Sequence, residues 1–570
     1  MRVGVDTGGT FTDAVADDGR SAKVPSTPDD PAEAVRAAAH ALDSAPEVLA
    51  HGTTVATNAL LERSGAKVAL VTSPGFADVI EIGRQDRPSL YDLWADRPEP
   101  LVPRSLRFEA GERLAFPADV EALAICLLHS DLDPAAERDL AASLAELGLD
   151  VTCSADVSPE FREYERTLTT VVNAYLRPPC RDYLERLGGL ADEVLVMTSG
   201  GGLIPLADAV ALPAALLLSG PAGGVLAAAA VAAANGAPDA ITFDMGGTST
   251  DVCLVRGALP EPAPGRVVGG FPIRLPSLDV HTIGAGGGSI ARIDAGGALV
   301  VGPQSAGAVP GPACYGRGGD LPTVTDADLV LGRIPASGGL PGLDALSEVA
   351  ARRALERAAV TAEGVVTVVN ANMERALRAV SVERGVDPRE LALVAFGGAG
   401  PLHACALADA LGMTRVIVPA RAGVLSGLGM LGAPRARELV RSWAGGDLDG
   451  ALRVLADEAR GLVGRDAVTS TALDVRYAGQ SHEITVESVD DFHAEHVRRN
   501  GYSRPDAPVE IVAIRARARI DSPLDVTSLP APVREKAVGP AVIAESDCTI
   551  WVADGWQARR GEAGALVLAR

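Results

Sequence analysis

Short β-branched and apolar runs alternate with longer amphipathic stretches along the 570 residues. Val3-Gly4-Val5 and Ala14-Val15-Ala16 flank a polar turn, which predicts a hairpin at the start of the chain. Residues 31–42 carry apolar side chains at helical spacing behind Asp30, a side chain suited to an N-cap. Strands are predicted over 67–72 and 122–128, and helices over 134–147 and 161–176; the last carries Glu163, Glu165 and Arg166 and bridges the first part of the chain to the second. A further strand begins at Leu195 and ends in Gly200-Gly201-Gly202. Leu216-Leu217-Leu218 reads as a buried strand, 219–224 as a tight turn, and the alanine-rich run behind it as a buried helix. Helices over 350–359 and 365–384 lead into a strand over 391–396, and Pro401 opens the next helix. An arginine-rich helix then runs to about Leu462 and is followed by alternating strands such as 473–477 and 511–516. Strands alternating with helices on this scale predict an α/β protein, and the length predicts several domains.

The hairpin pattern occurs twice. Asp6-Thr7-Gly8-Gly9-Thr10-Phe11-Thr12-Asp13 returns as Asp244-Met245-Gly246-Gly247-Thr248-Ser249-Thr250-Asp251, so both copies read D-x-G-G-T-x-T-D. Each follows an apolar run, and the paired glycines let the backbone turn sharply and expose its N–H groups. Backbone N–H and threonine hydroxyl groups suit phosphate oxygens, and paired carboxylates suit the waters around Mg²⁺. A glycine-rich hairpin with no ligand is the alternative for either copy alone; the repetition counts against it.

Charge and composition narrow the choices. The net charge of −23 opposes nucleic acid and anionic membrane as partners, since both select a cationic footprint. Lys23, Lys67 and Lys536 are the only lysines, and none stands in a G-x-x-x-x-G-K-[ST] setting, which excludes a Walker-type phosphate loop. The seven cysteines are widely spaced without a C-x-x-C pair, the usage of a reducing compartment. With no charged segment followed by an apolar one before the first strand, a cytoplasmic protein is expected. The uncharged stretch 209–234 is long enough to span a bilayer, yet Pro213, Pro221 and its alanine content argue for a buried soluble segment.

Other stretches offer candidate chemistry. His51-Gly52-Thr53-Thr54-Val55-Ala56-Thr57-Asn58 puts a polar cluster where a turn enters a helix. Thr53 suits an N-cap there as well as a ligand contact, while His51, Thr54 and Asn58 are candidates to face a substrate. Arg84 lies in a polar loop, where a solvated guanidinium and a carboxylate or phosphate contact are both open. Asp279 and His281 would share one face of a strand, which permits a metal or catalytic pair or a hydrogen-bonded core histidine. Gly397-Gly398-Ala399-Gly400 before Pro401 would let a flat ring or phosphate approach a helix N-terminus.

Two phosphate turns far apart with a later glycine-rich turn resemble the layout of the actin-like ATPases. The blocks at 51–63, 81–88, 219–224, 243–251, 281–289 and 395–403 are similar to those of the hydantoinase A / 5-oxoprolinase family, in family order. The resemblance implies two actin-like (ribonuclease H-like) ATPase lobes around a nucleotide cleft with a smaller β-rich C-terminal domain, divided as 1–175, 176–435 and 436–570. It implies an ATP-dependent cyclic amidase that phosphorylates the amide oxygen of a hydantoin, 5-oxoproline or related lactam. By motif position, Asp6 and Asp244 would hold Mg²⁺ through water. Thr7, Gly8, Gly9, Thr10 and Thr12, with Gly246, Gly247, Thr248 and Ser249, would take the phosphates. Gly397, Gly398 and Gly400 would take the adenosine side, and Asp13 and Asp251 would act near the transferred phosphoryl group. A separate B-type subunit is implied for the hydrolytic half, hence a hetero-oligomer. The segments near 114–122 and 432–472 look shorter than the family pattern.

Two rival functions share these motifs. Acetone and acetophenone carboxylases carry a similar chain and phosphorylate an enolate or bicarbonate instead of an amide. A nucleotide-driven switch of the actin or chaperone kind would need no small substrate.

Overall fold

The computed structural model describes residues 1–27, 30–42, 45–337 and 345–570. Two large sheets organise it, and the core of each follows one plan. In the first, the order is Ser21–Pro25, Phe11–Ala16, Arg2–Thr7, Val48–Thr53, Glu193–Met197; in the second it is Leu259–Pro260, Thr250–Arg256, Ala240–Met245, Ala392–Phe396, Arg415–Val418. Three antiparallel strands are joined in each case by two parallel ones. The chain therefore carries a duplicated α/β unit, the actin-like pair of lobes. Val3, Val5, Ile241 and Phe243 on the central strands are fully buried, as strands covered by helices on both faces require.

Most predicted elements form. Helix Pro31–His40 starts at Asp30, whose carboxylate accepts from the Ala32 N–H. The bridging helix runs Glu163–Glu185, past the predicted end, because it continues through Pro178 and Pro179. Proline at 179 removes the N–H that would bond the Tyr175 carbonyl, and that carbonyl instead accepts from the Ala66 N–H at 2.9 Å. One prediction fails: 216–218 is no strand. Pro213–Leu216 forms a 3-10 turn, and Leu218 adopts φ 56° with its N–H donating to Thr57 Oγ1, so the chain turns straight into helix Gly220–Ala234. Among the described residues no helix is long and apolar enough to cross a membrane.

Within the first lobe, Arg107–Glu109, Val68–Thr72, Ala122–Cys126 and Asp150–Cys153 make a separate parallel sheet. Residues 436–570 serve both lobes. Arg435–Ser442, Val509–Ile520, Val468–Tyr477 and Ile484–Val486 lengthen the first sheet beyond Leu203–Pro205, whereas Leu566–Ala569, Gln557–Arg560 and Ala537–Val538 lengthen the second beyond Arg415–Val418. Leu455, Leu473, Tyr477 and Phe492 form a core of their own beneath helix Leu448–Val463.

Candidate functional site

The two D-x-G-G-T-x-T-D motifs close in the same way. Gly8 N–H donates to the Phe11 carbonyl and Gly246 N–H to the Ser249 carbonyl, each at 3.0 Å. A four-residue turn then makes the first and last aspartates of each motif direct cross-strand partners, Asp6 with Asp13 and Asp244 with Asp251. Like charges held opposite each other repel. Burial lifts Asp6 to about 7, helped by Asp13, and Asp251 to about 6, while Asp244 rises well above the carboxylate range through burial and then the Asp251, Asp6 and Asp13 charges. Since aspartates of one lobe perturb those of the other, the two turns face a common centre. A methyl group added at Gly247 would lie 3.7 Å from Thr10 Oγ1, which brings the turns themselves together.

The surrounding elements pack on this centre. A Cβ at Gly52 would stand 2.9 Å from Asp6 Oδ1 and one at Gly220 3.4 Å from it, so Asp6 sits between the H-G-T-T segment and the start of helix Gly220–Ala234. Asp6 Oδ1 and Thr7 Oγ1 are buried and have no hydrogen-bond partner among the described residues. Orphaned acceptors of this kind in a ring of aspartates fit a hydrated divalent cation. Helix Gly400–Leu411 points its N-terminus at the same end of the second hairpin, with Ala399 N–H donating to the Met245 carbonyl. Of the glycines expected beside adenosine, Gly397 (φ 77°) has its absent side chain's place 2.3 Å from Asp244 Oδ1, and Gly400 packs on Phe243 and Met245. Gly398 alone of the three faces open space. Thr248 and Gly9 are exposed on their turns, and Thr12 is buried with its Oγ1 3.1 Å from Ser26 Oγ.

Lys23 was not singled out for this site. It lies opposite Asp13 in the hairpin register, and its Nζ donates to Asp13 Oδ1 at 2.5 Å and to the Gly423 carbonyl at 3.1 Å. Extending the strand register from the first turn would have found it. Two braces were also missed. Ser26 Oγ donates to the Gly8 carbonyl, and Gly287 and Gly288 donate to the Gly246 and Gly247 carbonyls, which holds both turns in shape.

The candidates for the substrate side separate. His51 is fully buried, its Nδ1 3.1 Å from the Val5 carbonyl and its Nε2 2.6 Å from Tyr183 Oη. A carbonyl only accepts, so Nδ1 carries the proton and Nε2 receives the tyrosine hydroxyl; burial lowers the ring to about 4 and keeps it neutral. Both ring nitrogens are thus engaged within the protein, and His51 ties its strand to Tyr183. Thr53 is buried and accepts from the Val55 N–H, while Thr54, at the head of helix Val55–Leu61, donates to the Thr7 carbonyl at 3.3 Å. Asn58 is exposed on that helix. Arg84 is half exposed and held by both oxygens of Glu165. Asp279 and His281 do not share a strand face. Asp279 falls between two short strands and pairs with Arg384, and His281 is exposed. It is Thr282, next to His281, that pairs with Asp251 and donates to its Oδ1 at 2.5 Å, because side chains alternate along strand Val280–Ile283.

The raised aspartates set a pH dependence. Between about pH 4 and 7 the folded, nucleotide-free chain holds protons that the unfolded chain has lost, so stability falls as pH rises through that window. Urea midpoints are expected to be lower at pH 8 than at pH 5, and the difference is expected to shrink in Asp6→Asn. An unchanged difference in the variant would dissociate the effect from this centre.

Comparison with known proteins follows the same geometry. The model of the hydantoinase/oxoprolinase N-terminal region matches residues 2–119, and the hydantoinase/oxoprolinase model matches residues 166–438. The chain is 36% identical to caprolactamase subunit alpha of Pseudomonas jessenii over 95% of its own length and 90% of that protein. It is 35% identical to 5-oxoprolinase 1 of Arabidopsis thaliana over 75% of its length, but spans only 41% of that relative. The crystal structure of the ATP-dependent caprolactamase from Pseudomonas jessenii superposes with a TM-score of 0.82 at 31% identity, covering all of both chains. Nucleotide-free acetone carboxylase gives 0.79 at 22% identity, covering 100% of this chain and 99% of that one, a likeness of fold.

Proposed function

As the chain belongs to the hydantoinase/oxoprolinase family, we propose that it is the A-type subunit of an ATP-dependent cyclic amidase. The observation that carries this reading is the meeting of two aspartate hairpins from separate lobes around an orphaned Asp6 oxygen. In this reading Gly8 to Thr10 and Gly246 to Thr248 take the phosphates of ATP through backbone N–H and hydroxyl groups, and Gly398 lies on the adenosine side. Asp6 and Asp244 hold Mg²⁺ through its waters, and the ion supplies charge neutralisation that a chain of net charge −23 otherwise lacks. Asp251, fixed by Thr282, and Asp13, fixed by Lys23, stand beside the phosphoryl group as oriented carboxylates.

The chemistry follows from the amide. An unstrained lactam is a poor electrophile. Attack of its oxygen on the γ-phosphorus forms a C–O–P bond and releases ADP. Water then adds to the activated carbon, and the ring C–N bond breaks with the nitrogen taking a proton to give an amino-acyl phosphate. A second water hydrolyses that to the free carboxylate and phosphate. The relatives named for lactam substrates support an amide over a ketone, and the designation of one relative as an alpha subunit supports a separate partner chain for the hydrolytic half. The discriminating test is phosphate release from ATP with hydantoins, 5-oxoproline, a seven-membered lactam, and ketones plus bicarbonate, each with and without a B-type chain. Release stimulated by a cyclic amide is expected. Stimulation only by a ketone with bicarbonate would make the chain a carboxylase subunit, and ATP turnover indifferent to every small molecule would make it a switch.

A further inference from the structure

Strands Leu203–Pro205 and Arg435–Ser442 share the single pairing of Leu203 with Arg435 and then part. At the near end Leu203 N–H donates to the Pro434 carbonyl, and at the far end Ser442 N–H donates to the Pro159 carbonyl. Between these points the gap widens into a cavity of about 470 Å³, within the range of small-molecule sites. Arg435–Ser442 is paired on its other edge with Val509–Ile520, so by the alternation of the ladder the N–H groups of Glu438 and Val440 turn towards the cavity. Ile204, Leu212 and Ala215 supply an apolar wall.

Four carboxylates and four guanidinium groups line the cavity. Each of its four acids is held by an arginine: Asp156 by Arg138, Glu160 by Arg274, Glu438 by Arg515 and Glu458 by Arg441. Arg437 and Arg517 also line it; neither makes a side-chain hydrogen bond or ion pair among the described residues, and Arg437 feels the charge of Asp208 from outside the cavity lining. A cavity with two guanidinium groups that hold no hydrogen-bonded partner, backbone N–H groups on its strand edge and an apolar wall suits an amphipathic anion. We propose that this cavity binds a small aliphatic carboxylate, with its charged end on Arg437 and the Glu438 and Val440 N–H groups and its chain on Ile204, Leu212 and Ala215. The aspartate centre of the two hairpins contributes no residue to it, so the site is separate from the nucleotide cleft.

The test is calorimetric titration of the full chain with hexanoate, hexanamide and hexylamine, in the presence and absence of a non-hydrolysable ATP analogue. Hexanoate is expected to bind at one site per chain, with hexanamide and hexylamine at least about tenfold weaker and the nucleotide analogue without effect. Arg437→Gln is expected to weaken hexanoate by about tenfold or more while leaving analogue binding unchanged. Ala215→Met, which narrows the cavity without touching a charge, is expected to weaken hexanoate as well. The proposal is overturned by equal binding of hexanoate and hexanamide, by no binding of hexanoate, by competition with the analogue, or by full hexanoate affinity in either folded variant.

Discussion

Asp244→Asn is expected to lower ATP turnover by about a hundredfold or more while the nucleotide-free protein becomes more resistant to urea at pH 8. The two effects share one cause. Asp244 is held opposite Asp251 and perturbed by Asp6 and Asp13, so its ionised form is disfavoured in the folded chain until a cation arrives. Asparagine keeps the shape and removes the charge; each pH unit by which a native carboxyl is raised corresponds to about 1.4 kcal/mol of relief. In the proposed role activity needs that charge, because an aspartate that orients a metal-bound water contributes through its full negative charge. Steady-state phosphate release and urea midpoints at pH 8 check both halves. Wild-type turnover in the variant would remove the cation role assigned to Asp244, and a lower urea midpoint would contradict the repulsion.

The second large effect is expected at Lys23. Lys23→Met should destabilise the chain by about 3–5 kcal/mol at pH 8, because it strands the enclosed Asp13 carboxylate without its counter-charge. Lys23 Nζ also donates to the Gly423 carbonyl, so the same substitution loosens the first hairpin from the loop entering helix Leu425–Gly432. Asp13 is already raised by burial, and only the Lys23 charge and hydrogen bond oppose that rise. Protonation of Asp13 offers an escape, so the loss should shrink towards pH 5. Adding Asp13→Asn to Lys23→Met should recover most of the stability, a coupling that a double-mutant cycle measures directly. Additive losses from the two substitutions would show that the pair does not interact as described.

Both expectations concern residues that stood differently in the sequence. Asp244 was legible because the spacing D-x-G-G-T-x-T-D is a local statement: a four-residue turn between two strands forces its outer aspartates opposite each other. Lys23 was legible only in part, since its opposition to Asp13 follows from strand register but its enclosure depends on Gly423, some 400 positions away. The surroundings of His51 were hidden for a related reason. A histidine ahead of a threonine-rich helix start looks available, yet Tyr183 from the long bridging helix reaches its Nε2 and completes a buried pair. Arg84 and Asp279 were likewise taken by Glu165 and Arg384 from distant helix ends. Thr282 escaped notice because only the pairing of its strand with Thr250–Arg256 turns it, and not His281, towards Asp251.

The division extends to the fold. The duplicated hairpins, their glycines and most helices were determined by the sequence alone, through apolar periodicity and turn chemistry that act over a few residues. Tertiary structure decided which carboxylates of the two lobes share one centre and which polar side chains are consumed by ion pairs. It also decided that residues 436–570 lengthen both sheets and leave a gap beside Arg437. Those outcomes rest on contacts between segments hundreds of residues apart. Local pattern carries no record of such contacts, because burial, pairing and pKa are properties of the assembled surroundings of a side chain and not of its neighbours in the chain.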